Sequence, residues 1–525
     1  MHAPLSHEVA LCFGPLEGSS PDHFSMPRLP RFQDFPLAPR PRHQPLHRWL
    51  HGELRRAIVG GRLAPGARLP SSRDLARQQG LARATVVGVF AQLRAEGYLV
   101  TRHGSGTVVA AALPDPFIDA APARPQRAIG PGSRASHNAP AAIATSRSRS
   151  ASATAATSPA SPAPAAFDIY RPSLDAFPLA IWAQLTSRRL RLGRTALLTA
   201  GDPLGYRPLR AAIAEHLAAT RSVVCDVDRI AVVSGTQQAF DFILRLLLRP
   251  GDHAWMENPG YPGAARLLRR AGAHVVPIPV DAAGMVVPGG RRQPPAPAMI
   301  YVTPAHQFPL GATLSLERRL ALLALARDRG TYVFEDDYDG AFRYDVRPLG
   351  ALQENDRANR VIYAGSFNKL LFPGLRLGYV VLPTALVAPF AALREAVDRY
   401  TSPIEQAVLA DFIAEGHFER HLRRMRNRYR EGRDALFAAA RRHLGTKLNL
   451  QPTEAGIHAV GFLPASADDV RVQRRAAEAG INVTALSPFY LQGPARPGLL
   501  LGFAAPSEVQ IARGMETLAR VLRPA

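Results

Sequence analysis

Residues 365–379 read GSFNKLLFPGLRLGY, and the lysine in that stretch sets how the rest of the chain is read. Of 64 basic lysines and arginines, only Lys369 and Lys447 are lysine. A merely basic surface would not discriminate between the two. Covalent chemistry would, because guanidinium stays protonated while a desolvated ammonium can lose its proton and attack a carbonyl. The flanking runs RVIYAGS and LGYVVLP are apolar and rich in strand formers. Lys369 is therefore expected in a loop between two strands, the second starting after Arg376.

Working outward, the same grammar continues. GTYVFEDDYDGAF (330–342) is an apolar strand that ends in acids. Glu335, Asp336, Asp337 and Asp339 thus cluster where strand ends meet ligands in open α/β sheets. AMIYVTPAHQFPLG (298–311) is a strand leading into a proline-containing loop. RIAVVSGTQQAFDFILRLLL (229–248) is a strand, a turn of small residues and a long helix. Gly235, Thr236 and Gln237 open that helix, where free N–H groups and the helix dipole favour a phosphate. From Phe167 onward apolar strands alternate with amphipathic helices, the pattern of an α/β domain.

One chemistry uses all these groups together. Pyridoxal 5′-phosphate offers an aldehyde to a lysine and a ring nitrogen to a carboxylate. It also offers a phenolic oxygen to a hydroxyl and a phosphate to helix N–H groups and arginine. A metal would use the acids but not the lone lysine.

At 525 residues the chain has room for more than one domain, and 47% apolar residues suffice for a large core. The formal net charge of +22 points to a polyanionic partner. Cys12 and Cys225 are the only cysteines, which excludes a disulfide framework and fits a reducing, cytoplasmic setting. No apolar run is long enough for a bilayer span, so no membrane partner is expected. The opening MHAPLSHEVALCFGPLEG lacks the layout of a signal peptide, and Met26 is a candidate alternative start.

Four segments follow. Residues 1–44 are rich in proline and histidine and are expected to be a disordered extension. Residues 45–112 read as a compact DNA-binding module. Residues 113–166 are rich in Ala, Pro, Ser and Arg and read as a flexible linker spanning roughly 40 Å. Residues 167–525 form the α/β domain.

In the small module, Leu46, Leu50, Leu54 and Ile58 mark one face of a first helix stopped at Gly60 and Gly61. SSRDLARQQG is a serine-capped second helix ending at Gly80. ARATVVGVFAQLRAEG is a third, with Val86, Phe90 and Leu93 turned inward. YLVTRHGSGTVVA reads as a hairpin wing. Helix–turn–helix plus wing docks on double-stranded DNA. Arg83 and Thr85 lead the recognition helix, and Arg73 is placed for a phosphate. Arg102, His103 and Gly104 lie on the wing.

LPSSRDLA, ARATV, LRAEGYL and RHGSGTVV together closely resemble the GntR-family winged helix. GDPLGYRPLR, SGTQQAFD, ENPGYPGA, TPAHQFPLG, EDDYDGAFRY, GSFNKLLFPGLRLGY and EGHFERHLRRMRNRY resemble fold-type I aminotransferases. The combination is similar to the MocR-type regulators. The fold class implied is multidomain: an N-terminal winged helix–turn–helix (α+β) and a large α/β fold-type I domain binding pyridoxal 5′-phosphate.

The resemblance implies roles. Lys369 would hold the cofactor as a Schiff base, Asp336 would pair with the ring nitrogen, and Tyr338 would bond the phenolic oxygen. Tyr261 would stack on the ring. Gly235, Thr236, Ser366 and Arg376 would hold the phosphate, with Gln237 nearby. His306 or Gln307 would stand near the phenolic oxygen, where simple aminotransferases usually have Asn. Lys447 is expected on the surface. A homodimer is implied, as is a transcriptional regulator that senses pyridoxal phosphate or a small amine or amino acid. The alternative is a working aminotransferase carrying a DNA module; a regulator that has lost the cofactor is a third reading.

Three positions depart from the family pattern. Ala200 stands where a tyrosine reaching the partner subunit's cofactor is common, with Tyr206 nearby. GLLLGFA places Leu499 and Leu500 where an arginine usually grips a substrate carboxylate, and Arg496 is off register. Asn368 replaces a more typical serine. Losing the bidentate arginine favours an effector with a different anchor over ordinary transamination.

Overall fold

The computed structural model describes residues 46–59, 62–64, 66–95, 98–102, 106–109, 166–192, 194–223, 225–289, 294–344 and 350–523. The N-terminal extension, most of the linker, His103 and Gly104 lie outside these residues, as do Gly60 and Gly61. The chain divides into two compact units, residues 1–113 and 114–525.

The first unit has helices α1 (Leu46–Val59), α2 (Ser72–Gln79) and α3 (Arg83–Ala95), then strands β1 (Leu99–Arg102) and β2 (Gly106–Val109). Ser71 caps α2 by accepting the Asp74 N–H, and Gly80 ends it at φ 62°, a left-handed conformation suited to glycine. Leu50, Leu54, Ile58, Val86, Val89 and Leu93 are buried in one core. Leu46 is not among them; it is 39% exposed, while Trp49 in the same turn is buried. The wing is an antiparallel hairpin pairing Leu99 with Val109 and Arg102 with Gly106.

The second unit begins with α4 (Leu179–Leu192) and α5 (Arg207–Thr220). There follow β3 (Ile230–Val233), α6 (Thr236–Leu247), β4 (His253–Asn258), α7 (Pro262–Arg270), β5 (His274–Asp281) and β6 (Gly284–Met285). Next come β7 (Met299–Val302), α8 (Leu316–Arg329), β8 (Tyr332–Asp337), β9 (Val361–Ser366), α9 (Phe367–Leu370) and β10 (Gly378–Val381). Their eight strands form one sheet in the order β3-β10-β9-β8-β7-β4-β5-β6. The β9-β8-β7-β4-β5 run is parallel, and β10 is antiparallel to both neighbours. The strand centres are mostly apolar, packed in cores shared with the flanking helices, and the polar residues gather toward the strand ends.

Helices α10 (Thr384–Val397), α11 (Pro403–Ala414) and the long α12 (His417–His443) lead to a smaller layer. It holds β11 (Asn449–Leu450), β12 (His458–Phe462), α13 (Asp469–Glu478), β13 (Thr484–Ala485), β14 (Gly498–Gly502) and α14 (Glu508–Val521). The four strands form an antiparallel sheet, β11-β12-β14-β13. No helix among the described residues is long and apolar enough to cross a membrane.

Candidate cofactor site

The site forms where β8, β9 and the start of α6 converge. Strand alternation separates the three acids of β8, and Asp339 lies two residues beyond it. Glu335 and Asp337 serve the fold rather than a ligand. Glu335 accepts the Leu352 and Gln353 N–H groups, and Asp337 pairs with Arg221 at 2.7 Å and accepts the Tyr363 hydroxyl at 2.5 Å. Asp339 faces His306. Only Asp336 turns into the cleft, so the expected acidic cluster resolves into one site residue and three with other partners.

That cleft is lined by Thr236, Gln237, Tyr261, Tyr301 and Asp336, among others. Asp336 Oδ2 accepts the Tyr301 hydroxyl at 2.6 Å. Its Oδ1 is buried and has no hydrogen-bond partner. Burial pushes the carboxyl up to about 7, despite the Tyr301 bond that pulls it down. A buried carboxylate oxygen without a donor costs several kcal/mol, of order 2–7. A ligand carrying a buried N–H⁺ would remove that cost. The protonated ring nitrogen of pyridoxal 5′-phosphate is such a group, so the residues fit the cofactor.

Lys369 lies on the one-turn helix α9, directly after Ser366, which ends β9 and accepts the Asn368 N–H. The residue is half-buried, and desolvation lowers its ammonium to about 8. Nζ donates to the Tyr170 carbonyl at 3.4 Å and stands 4.7 Å from the Tyr170 ring centroid. Asn368 Oδ1 accepts the Leu377 N–H, tying the lysine turn to the residue that leads into β10. Its amide nitrogen would lie 3.2 Å from a Cβ at Gly235, which caps α6 at φ 146°. Arg376 is exposed, at φ 51°, and makes no ion pair among the described residues.

Tyr261 accepts a hydrogen bond from Gln237 Nε2 at 2.7 Å. Gly263 leaves room for both, since a Cβ there would fall 2.4 Å from Gln237 Nε2 and 2.5 Å from the tyrosine ring. Tyr338 donates or accepts with His306 Nδ1 at 2.9 Å, and burial raises its phenol well above the usual range. Of the two candidates, His306 reaches Tyr338. Gln307 turns away and donates to the Pro259 carbonyl at 2.9 Å.

This arrangement sets a lysine, a buried carboxylate and a ring of tyrosines beside the strand ends of the mixed sheet. The aminotransferase class I and II family matches residues 175–518, and the bacterial gntR regulatory family matches residues 49–109. A probable rhizopine catabolism regulatory protein, MocR, of Rhizobium meliloti is 38% identical, over 90% of this chain and 93% of its own. The chain belongs to the MocR-type transcriptional regulators. The pyridoxine biosynthesis regulator PdxR of Corynebacterium glutamicum is 31% identical over 90% of this chain and 96% of its own. Among solved structures, the α-aminoadipate aminotransferase LysN of Thermus thermophilus, complexed with N-(5′-phosphopyridoxyl)-L-leucine, matches at TM-score 0.61 and 28% identity. It covers 68% of this chain and 91% of its own. The cofactor of this regulator is pyridoxal 5′-phosphate, and its winged helix binds DNA.

In the DNA-binding unit, Arg83 is the first residue of α3 and is exposed, with Thr85 half-buried two residues on. Arg73, near the start of α2, is exposed. Arg102 ends β1. Lys447 is exposed on a turn after α12, as expected for a surface residue. Ala200 is exposed, while Tyr206 packs against the main core with its N–H held by Gln406 at 2.7 Å.

Sequence reading missed Tyr301, Tyr170 and Phe308. Tyr301 bonds Asp336 from the neighbouring strand, and no local motif marks that pairing. Tyr170 lies 199 residues from Lys369, beyond any spacing rule. Phe308 packs edge-on against both Tyr261 and Tyr338, with ring centroids 5.7 Å apart in each case.

Proposed function

We propose that this regulator couples the state of the Lys369 cleft to how its winged helices engage an operator. Pyridoxal 5′-phosphate supplies an aldehyde that condenses with amines and a ring that draws electrons from the bound nitrogen. Lys369 is the amine of this chain that holds it. Asp336 keeps the ring nitrogen protonated, and Tyr338 donates to the phenolic oxygen. Gly235, Thr236, Ser366 and Arg376 bind the phosphate, with Gln237 and Tyr261 closing over the ring. Arg83 and Thr85 contact bases, and Arg73, Arg102, His103 and Gly104 contact the DNA backbone. The cofactor itself, or a small amine or amino acid, shifts this arrangement in a homodimer, and the linker carries the change to the DNA. Such a ligand must prefer one arrangement over the other, since equal affinity shifts nothing.

The observation that carries this reading is the buried, partnerless Oδ1 of Asp336 in the same cleft as Tyr261 and Thr236. Borohydride reduction of the loaded protein followed by peptide mapping tests it. A cofactor adduct on Lys369 is expected; an adduct on Lys447 sinks the assignment.

A further inference from the structure

We infer that the effector taken by the Lys369 cleft is a primary amine without a carboxylate, carrying an apolar or aromatic body. This rests on the effector reading above and narrows it to one ligand class.

The wall of the cleft is decided by strand alternation in β14. Leu499 and Leu501 point into the main core, whereas Leu500 points the other way. Leu500 is fully buried in a cluster with Ile169, Phe308 and Phe489, and the cleft tyrosines Tyr261 and Tyr338 pack against that cluster. The position where an arginine would meet a carboxylate is therefore hydrocarbon, continuous with the site aromatics. A carboxylate driven against it would give up its water to hydrocarbon.

The other side of Lys369 is electron-rich. Nζ faces the Tyr170 carbonyl oxygen and the face of the Tyr170 ring. Asp168, half-buried beside them, accepts the Tyr170 N–H at 2.8 Å. Asp168 and Asp339 both hold the Lys369 proton more tightly. A carbonyl, a π face and two carboxylates attract an ammonium and repel a carboxylate.

The nearby cations do not reverse this. Arg496 is stacked on Phe462, with its guanidinium carbon 3.5 Å from the ring centroid. The field of Arg266 reaches both Tyr170 and Tyr261, but Arg266 is exposed on α7 and stays hydrated. An amine head toward Tyr170 and a hydrocarbon body toward Leu500 and Phe308 match the two walls.

Matched pairs test the inference on the full-length, cofactor-loaded protein: 2-phenylethylamine against phenylalanine, and 3-methylbutylamine against leucine. Calorimetry gives each affinity, and the cofactor absorbance reports entry to the site. Each amine is expected to bind at least about tenfold more tightly than its amino acid, or about 1.4 kcal/mol. Arg266→Ala is expected to leave that ratio unchanged. Leu500→Arg, where it folds, is expected to shift the ratio about tenfold or more toward the amino acid. Equal or tighter binding of the amino acids by the native protein overturns this inference alone; an arginine from a second copy would produce that result. If neither member of either pair binds while the cofactor sits on Lys369, the effector reading fails and this inference with it.

Discussion

His306 Nδ1 lies 2.9 Å from the Tyr338 hydroxyl and 3.1 Å from Asp339 Oδ2, so one ring nitrogen serves two partners. The other nitrogen, Nε2, is buried with no partner. A proton on Nε2 would leave a buried N–H unsatisfied, at a cost of about 1–3 kcal/mol. The proton therefore belongs on Nδ1, donated to Asp339. Tyr338 then offers its oxygen to that N–H and keeps its own O–H for the cleft. Two left-handed glycines make the slot: a Cβ at Gly456 would lie 2.1 Å from the His306 ring and one at Gly311 would lie 3.2 Å from it.

His306→Phe should consequently strand a buried Asp339 carboxylate. A loss of about 3 kcal/mol in urea-induced unfolding is expected for the protein without cofactor. His306→Asn can place an N–H near the Nδ1 position and should lose less. Equal losses in the two variants would mean that packing, not the Nδ1 proton, matters.

The two adjacent aspartates of β8 should respond oppositely. Asp336→Asn removes the anion from the cleft, so cofactor affinity should fall about 10- to 100-fold, the worth of a charge-assisted hydrogen bond. Its burial already pushes the carboxyl up to about 7, so the unloaded protein should lose little stability. Asp337→Asn leaves Arg221 buried without its ion-pair partner and should destabilise the fold by about 3–5 kcal/mol. Fluorescence titration with pyridoxal phosphate and chemical denaturation separate the two effects. A large stability loss in Asp336→Asn would place that residue with its neighbour as a structural acid.

Much of this was legible in the residues themselves. The lone lysine, the acid-tipped strand and the small-residue turn before α6 are local signals, and they carried the α/β reading and the cofactor. What stayed hidden depends on register and on long-range contact. EDDYD reads as one acidic patch until the pleat sends Glu335 and Asp337 one way and Asp336 the other. The three leucines of GLLLG are interchangeable on paper, and only the folded strand shows Leu499 and Leu501 in the main core and Leu500 in the cluster with Phe308. Asn368 needed β10 in place before its bond to Leu377 had meaning.

Lys369 should leave a signature in the pH dependence of stability. Burial lowers its folded-state value from 10.5 to about 8, so the unfolded chain binds the proton more tightly. Stability should then rise as pH increases from about 8 to about 10.5, because only the unfolded state still holds that proton. Below this window the charged, desolvated ammonium is a penalty of up to about 3 kcal/mol. Lys369→Met in the unloaded protein should be more stable than the parent at pH 7. The difference should shrink through the same window. A constant difference across pH would show that Lys369 keeps an ordinary ammonium.

Arg83 and Arg73 should separate specificity from adhesion. Arg83 begins α3 with its side chain exposed, where a recognition helix leads into the major groove. Arg83→Ala should weaken binding to the sequence selected from a random pool by about 1–3 kcal/mol, and hardly change binding to unselected DNA. Arg73 sits on α2 beside the capped N-terminus, where backbone contacts are made. Arg73→Ala should weaken both DNAs alike and lower the salt dependence of binding by about one counterion. Fluorescence anisotropy at several salt concentrations measures both. An Arg83 variant that weakens selected and unselected DNA equally would make Arg83 a phosphate contact and move base reading to Thr85.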